Sequence, residues 1–133
     1  MRPFLTLLLL AAVALPGFAA GKANTIVFKP GEIIYARFEP DGKKIRLVSA
    51  SKVKDEHAQV IFTTAVDKAT LEVNLTVENK FHEDFYYEVV IRSKKLDRET
   101  PLEVSSVVGE KMAFESIPPL TDEIVLSAFK LLR

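Results

Sequence analysis

One stretch limits what this chain can become. In residues 69–92, Leu71, Val73, Leu75 and Val77 alternate with Thr70, Glu72, Asn74, Thr76 and Glu78. A period of two is a strand with one apolar and one polar face. A polar break at 79–84 follows, and then Phe85 to Arg92, rich in aromatic and β-branched residues, reads as a second strand. The pair reads as a hairpin.

The remaining strands are bounded by turn signals. Thr25 to Phe28 is a short strand closed by Lys29-Pro30-Gly31-Glu32. Ile33 to Glu39 leads into Pro40-Asp41-Gly42-Lys43, and Lys44 to Ala50 returns with Ile45, Leu47 and Ser49 facing inward. Gln59 to Val66 puts Val60, Phe62 and Thr64 on one side. Residues 93–101 read as a charged loop, Leu102 to Val108 as a strand, and 109–122 as irregular chain with Met112 and Phe114 plugging the core. Pro118-Pro119 cannot lie in a central strand, since neither residue has an N–H to donate. Glu123 to Leu132 closes the chain, with Ile124, Leu126 and Ala128 on one face and Val125, Ser127 and Phe129 on the other. It is apolar on both faces, so it is either central in a sheet or an edge awaiting a partner, and a central place is expected. Seven to eight short strands, without a strong helical pattern, specify an all-β fold, a sandwich or small barrel, of which a single antiparallel β-sandwich is expected.

The first residues read as a signal peptide. Arg2 is followed by an apolar run from Phe4 to Leu15, broken only by Thr6 and ended by Pro16-Gly17. That run suits an export signal and is shorter than the ~20 residues a membrane span needs. Cleavage is expected after Ala19, or as late as Gly21, so 1–19 is the signal and 20–133 the sandwich domain, with no membrane span left. The absence of Cys excludes disulfides, thiolate chemistry and lipidation at a cysteine. An exported domain of this size without disulfides fits a bacterial periplasm. Removing 1–19 takes away Arg2 and no acid, leaving 17 basic and 18 acidic side chains. That balance does not favour nucleic acid as a partner.

Leu75-Thr-Val-Glu-Asn79 followed by Phe85-Tyr-Tyr-Glu-Val-Val-Ile91 resembles the hairpin of an immunoglobulin-like sandwich. The runs Phe114-Glu-Ser-Ile-Pro-Pro-Leu120 and Ile124-Val-Leu-Ser-Ala-Phe129 are similar to the C-terminal part of small periplasmic immunoglobulin-like proteins of unassigned function. The resemblance covers about half of the mature chain and lacks the Cys…Trp…Cys pin of antibody domains. It implies an architecture, and an architecture does not select a function.

Two acidic-histidine clusters could carry chemistry. Asp55-Glu56-His57 and His82-Glu83-Asp84 flank two intervening strands, which in an up-and-down order return the chain to the same rim. Two imidazoles and four carboxylates would suit Zn²⁺ or Cu²⁺, although charged triplets in loops are usually solvated. No nucleophile elbow, phosphate-cradling loop or other catalytic signature is present, so an enzyme is not expected. Tyr86 lies on the strand face opposite Phe85 and Tyr87 and is a candidate contact residue, as are Arg92, Lys94, Lys95 and Arg98 around the charged loop. The expected function is a non-catalytic, exported binding module of the periplasm or cell envelope with a protein partner and no cofactor. The alternative is a small metal-binding protein using His57 and His82.

Overall fold

A computed structural model describes residues 24–42 and 44–132. The expected signal segment lies outside them. The described residues contain nine strands and no helix. They are β1 (Ile26–Phe28), β2 (Ile33–Asp41), β3 (Lys44–Ser51), β4 (Val60–Val66), β5 (Val73–Asn79), β6 (Asp84–Ser93), β7 (Arg98–Leu102), β8 (Met112–Ile117) and β9 (Glu123–Leu132). A five-stranded sheet runs in the order β3-β2-β4-β5-β8 and a four-stranded sheet in the order β1-β9-β6-β7, with every pairing antiparallel.

The two sheets meet through their apolar faces. Ile34, Phe38, Val60, Phe62, Leu75 and Val77 from one sheet are buried together with Ile26, Phe28, Phe85, Tyr87, Ile124 and Leu126 from the other. Phe38, Phe62, Phe81, Phe85, Tyr87 and Phe129 form one aromatic cluster, with ring centroids 5.1–6.4 Å apart. Tilted, edge-on and offset-stacked pairs at these spacings suit the ring quadrupoles. The buried polar side chains Thr64 and Asn79 find partners. The Thr64 hydroxyl donates to the Glu32 carbonyl and accepts from the Gly31 N–H, both at 2.8 Å.

Several sequence expectations are corrected. The expected hairpin of 69–92 does not form, because β5 and β6 lie in different sheets. The chain crosses between the sheets over Lys80–Glu83, and Asn79 pins the crossing. Its side-chain amide donates to the carbonyls of Glu83 at 2.9 Å and Val107 at 3.0 Å, and its Oδ1 accepts from the Phe81 N–H at 2.9 Å. Leu71 is not in β5. Asp67 closes the β4–β5 turn by accepting from the N–H groups of Ala69 and Thr70, and Leu71 sits in the turn with φ 62°.

Two bulges reset strand parity. In β3 the register passes from Arg37 opposite Ser49 to Phe38 opposite Leu47, so Val48 is extra and Ala50, not Ser49, turns inward. In β9 the register shifts opposite Tyr86–Glu88, and Ala128 takes φ 57°. Phe129 therefore joins Ile124 and Leu126 in the core, and Ala128 faces out. A bulge adds one residue to one strand, which inverts the inside–outside order beyond it.

Strand β7 covers 98–102, so the charged loop is shorter than 93–101 and the expected strand at 102–108 is replaced. Between β7 and β8 only Val107 returns to the four-stranded sheet, in a bridge to Phe85. Met112 and Phe114 do not plug the core. They belong to β8 and stand on its outer face, with 54% and 74% of their surface exposed. Strand β9 is central, between β1 and β6, as its apolar composition suggests.

Candidate functional site

The expected metal clusters do approach the same rim in backbone terms. Val60 pairs with Asn79, and the Lys80 N–H donates to the Gln59 carbonyl at 2.8 Å, so 55–57 and 82–84 emerge at one end. Their side chains have separate employment. Asp55 takes the Arg37 guanidinium at 2.9 Å and the His57 N–H at 2.9 Å. The His57 N–H and Arg37 bonds hold the Asp55 carboxyl below its usual range. His82 Nδ1 lies 2.7 Å from the Glu110 carboxylate, and the Asp84 carboxylate accepts the Gly109 N–H at 3.0 Å. Glu56 is exposed and Glu83 half-buried. Among the described residues no group of three or more His, Asp and Glu is placed to hold a metal ion.

The expected contact residues do not form one patch. Tyr86 and Arg92 share the outer face of β6, but six residues of strand separate them by roughly 20 Å. The Tyr86 hydroxyl donates to Glu88 at 2.8 Å, a bond that raises its pKa, and the Lys130 ammonium sits 4.5 Å from its ring centre. Arg92 is held by Glu99 at 2.6 Å and Glu123 at 3.2 Å. Lys94, Lys95 and Arg98 are exposed on the β6–β7 turn, where the Lys94 N–H donates to Asp122. Arg92, Lys94 and Arg98 share a shallow depression with Glu99, Asp122 and Glu123. Carboxylates so close cancel much of the positive field.

The surface that stands out was missed in the sequence. Each sheet has two edges: β3 and β8 in one, β1 and β7 in the other. Edges expose unpaired N–H and C=O groups, and proteins usually guard them with short strands, charges, proline or bulges. Three of these edges are guarded. β1 has three residues, β3 carries Lys44, Arg46 and the Val48 bulge, and β7 carries Arg98, Glu99 and Pro101. β8, Met112-Ala-Phe-Glu-Ser-Ile117, offers an outer face led by Met112 and Phe114.

This apolar outer face continues inward over the sheet. Phe114 pairs with Thr76, Thr76 with Thr63 and Thr63 with Ile33. The next row is Met112, Glu78, Ile61 and Tyr35. Side chains at these paired positions lie on one face, so the rows form a continuous strip of mainly apolar and threonine residues ending at an open edge. Phe114 was legible only as a hydrophobic residue in irregular chain, and hydrophobic residues outside recognised strands are assigned to the core by default. The alternation of Met112, Phe114 and Ser116 against Ala113, Glu115 and Ile117 was the signal available.

Such a strip is an exposed, mainly apolar patch that runs across the five-stranded sheet to its β8 edge. Comparison with family models, curated proteins and solved structures finds no match for this chain.

Proposed function

We propose that this chain is a non-catalytic, exported interaction module of the bacterial periplasm or cell envelope, built on an immunoglobulin-like sandwich, and that it binds protein through the β8 edge. The observation that carries the proposal is Phe114, 74% exposed on an edge strand whose outer face, Met112, Phe114 and Ser116, carries no charge. An edge of this kind binds by strand addition: main-chain hydrogen bonds supply affinity and alternate side chains supply selectivity.

The immunoglobulin-like assignment draws on topology. β5 pairs with β8 in one sheet and β6 with β9 in the other, and the chain crosses between sheets at β5–β6 and at β8–β9. These are the relations of strands B, E, C and F in an immunoglobulin sandwich, whose sheets are ordered ABED and CFG. In that comparison β4 stands for A, β7 flanks C, and β1 takes the place of G beside β9. The position of D, beside β8, has no strand among the described residues. The export reading draws on the N-terminal pattern of Arg2, the apolar run to Leu15 and the small residues after it.

Affinity capture from native envelope extract tests the function. The wild-type chain and Phe114→Asp are used in parallel, with the variant's fold checked by circular dichroism. A protein recovered by the wild type and lost with Phe114→Asp is the expected result. A partner kept by that variant and lost on charge reversal of Lys94, Lys95 and Arg98 would move the contact to the β6–β7 turn and overturn the proposal.

A further inference from the structure

We infer that the occupant of the β8 edge is β8 of a second copy of this chain, paired antiparallel about a two-fold axis at Ala113. This rests on the reading of β8 as the contact edge and names its partner. The ladder fixes which backbone groups are available. The Asn79 N–H donates to the Lys111 carbonyl at 2.9 Å, so Lys111 faces β5. Antiparallel alternation turns Ala113, Glu115 and Ile117 to β5 as well, and turns the N–H and C=O groups of Met112, Phe114 and Ser116 outward. A partner strand must therefore hydrogen-bond through Met112 and Phe114.

Charge selects the register. With Ala113 opposite Ala113, Met112 of each copy exchanges hydrogen bonds with Phe114 of the other. Lys111 of each copy then stands opposite Glu115 of the other, giving two opposite-charge pairs on the face away from Phe114. Lys111 is exposed and makes no ion pair among the described residues. One Glu115 oxygen accepts the Ser105 N–H at 2.9 Å, which leaves the other for the ammonium. Moving the axis to Glu115 would set Glu115 against Glu115 and bring Pro118, which has no N–H, opposite Met112. Moving it to Phe114 would oppose Lys111 to Ile117 and Glu115 to Ala113, losing both charge pairs. A shift by one residue on either strand would leave outward groups facing inward ones.

Pairing in this register puts the apolar strips of two sheets side by side, with Met112 and Phe114 of both copies along the seam. The contact is short, so a dissociation constant of micromolar or weaker is expected.

Sedimentation velocity on the protein, purified in the form the expressing cell leaves it, decides the matter. The wild type should show a concentration-dependent monomer–dimer equilibrium. Lys111→Glu and Glu115→Lys should each weaken it by at least about tenfold, since either puts like charges opposite each other twice. The double variant K111E/E115K should return it to near the wild-type value. Phe114→Pro should abolish the dimer and keep the monomer's thermal transition, because the N–H it removes points away from the intramolecular ladder. A monomer at every concentration overturns the inference, even if it still captures another protein through Phe114, in which case the contact-edge reading survives alone. A dimer that persists in Phe114→Pro, or that the charge swap fails to restore, overturns it as well.

Discussion

Tyr87 brings an aromatic ring and a hydroxyl into the same dry space. Its ring, 2% exposed, stacks on Phe85 and meets Phe62 edge-on, while its hydroxyl has no hydrogen-bond partner among the described residues. A buried hydroxyl without a partner costs on the order of 1–3 kcal/mol. Tyr87→Phe removes the atom and keeps the ring, so it should stabilise the fold by about 1 kcal/mol in urea denaturation. Burial, reinforced by the nearby Glu115 carboxylate, raises the Tyr87 pKa above the ordinary 10.0. The neutral phenol is thus favoured in the fold. Stability from this preference is complete below pH 10 and is lost as pH rises toward the folded value, because the unfolded chain ionises first. The advantage of Tyr87→Phe over wild type should widen by roughly 1 kcal/mol between pH 9 and pH 11. A constant difference across that range would sink the argument. Asn79, 1% exposed, is the opposite case, a buried amide with its donors and acceptor engaged. Asn79→Ala strands the Val107 and Glu83 carbonyls and the Phe81 N–H from this partner, at a cost of about 2–4 kcal/mol. An unfolding midpoint unchanged in that variant would show that the crossing does not depend on its side chain.

At the scale of the element, the β9 bulge is the feature with the largest leverage. Ala128 holds φ 57°, where a Cβ is unfavourable and glycine is not. Ala128→Gly should therefore raise stability by about 0.5–1 kcal/mol, and Ala128→Val should lower it, since a β-branched residue is least tolerant there. Equal melting temperatures for the two variants would show that the bulge carries no backbone strain. The same bulge explains what the sequence could not reveal. Alternation gave the dry face of β5 and separated the two faces of β4 correctly, because neither strand is interrupted. It failed beyond Ser127 in β9 and beyond Leu47 in β3, where one extra residue inverts the parity and nothing in Val48 or Ala128 announces it. It also failed at 79–84. A polar break between two alternating runs is the mark of a hairpin, but alternation records which face is dry and not which strand lies alongside. Asn79 looks like a turn residue in the sequence but is the last residue of β5, and the chain beyond it crosses to the other sheet. The candidate site suffered the reverse error. The two histidine clusters were noticed because their chemistry is conspicuous, and they share a rim without sharing a ligand set. Phe114 is conspicuous only once its strand is known to be an edge.

For the whole molecule, the controlling fact is that the two ends of the described chain close the same sheet. β1 pairs with β9 through Ile26–Leu126, Val27–Val125 and Phe28–Ile124. Three residues make a weak strand alone, but Ile26 and Phe28 are at 0% and 2% exposure and reach the centre of the sandwich. Burying two such side chains contributes about 5 kcal/mol together, a large share of the ~5–15 kcal/mol that separates folded from unfolded domains. Loss of β1 would also strip one flank of β9, converting a central strand into a second apolar edge. Deleting Thr25–Phe28 should accordingly abolish the cooperative urea transition, or move its midpoint far below that of the intact chain. Ile26→Ala with Phe28→Ala separates the causes: it keeps the ladder and removes the side chains, so it should recover only part of the loss. A synthetic peptide spanning residues 24–30, added to the deletion variant, should restore the near-ultraviolet aromatic signal in proportion to its occupancy, because Phe28 completes the core around the aromatic cluster. If the deletion variant unfolds like the intact chain, β1 is an ornament on a sandwich that β9 and β6 complete without it. If the peptide restores the signal, the four-stranded sheet accepts an added strand in trans at β9.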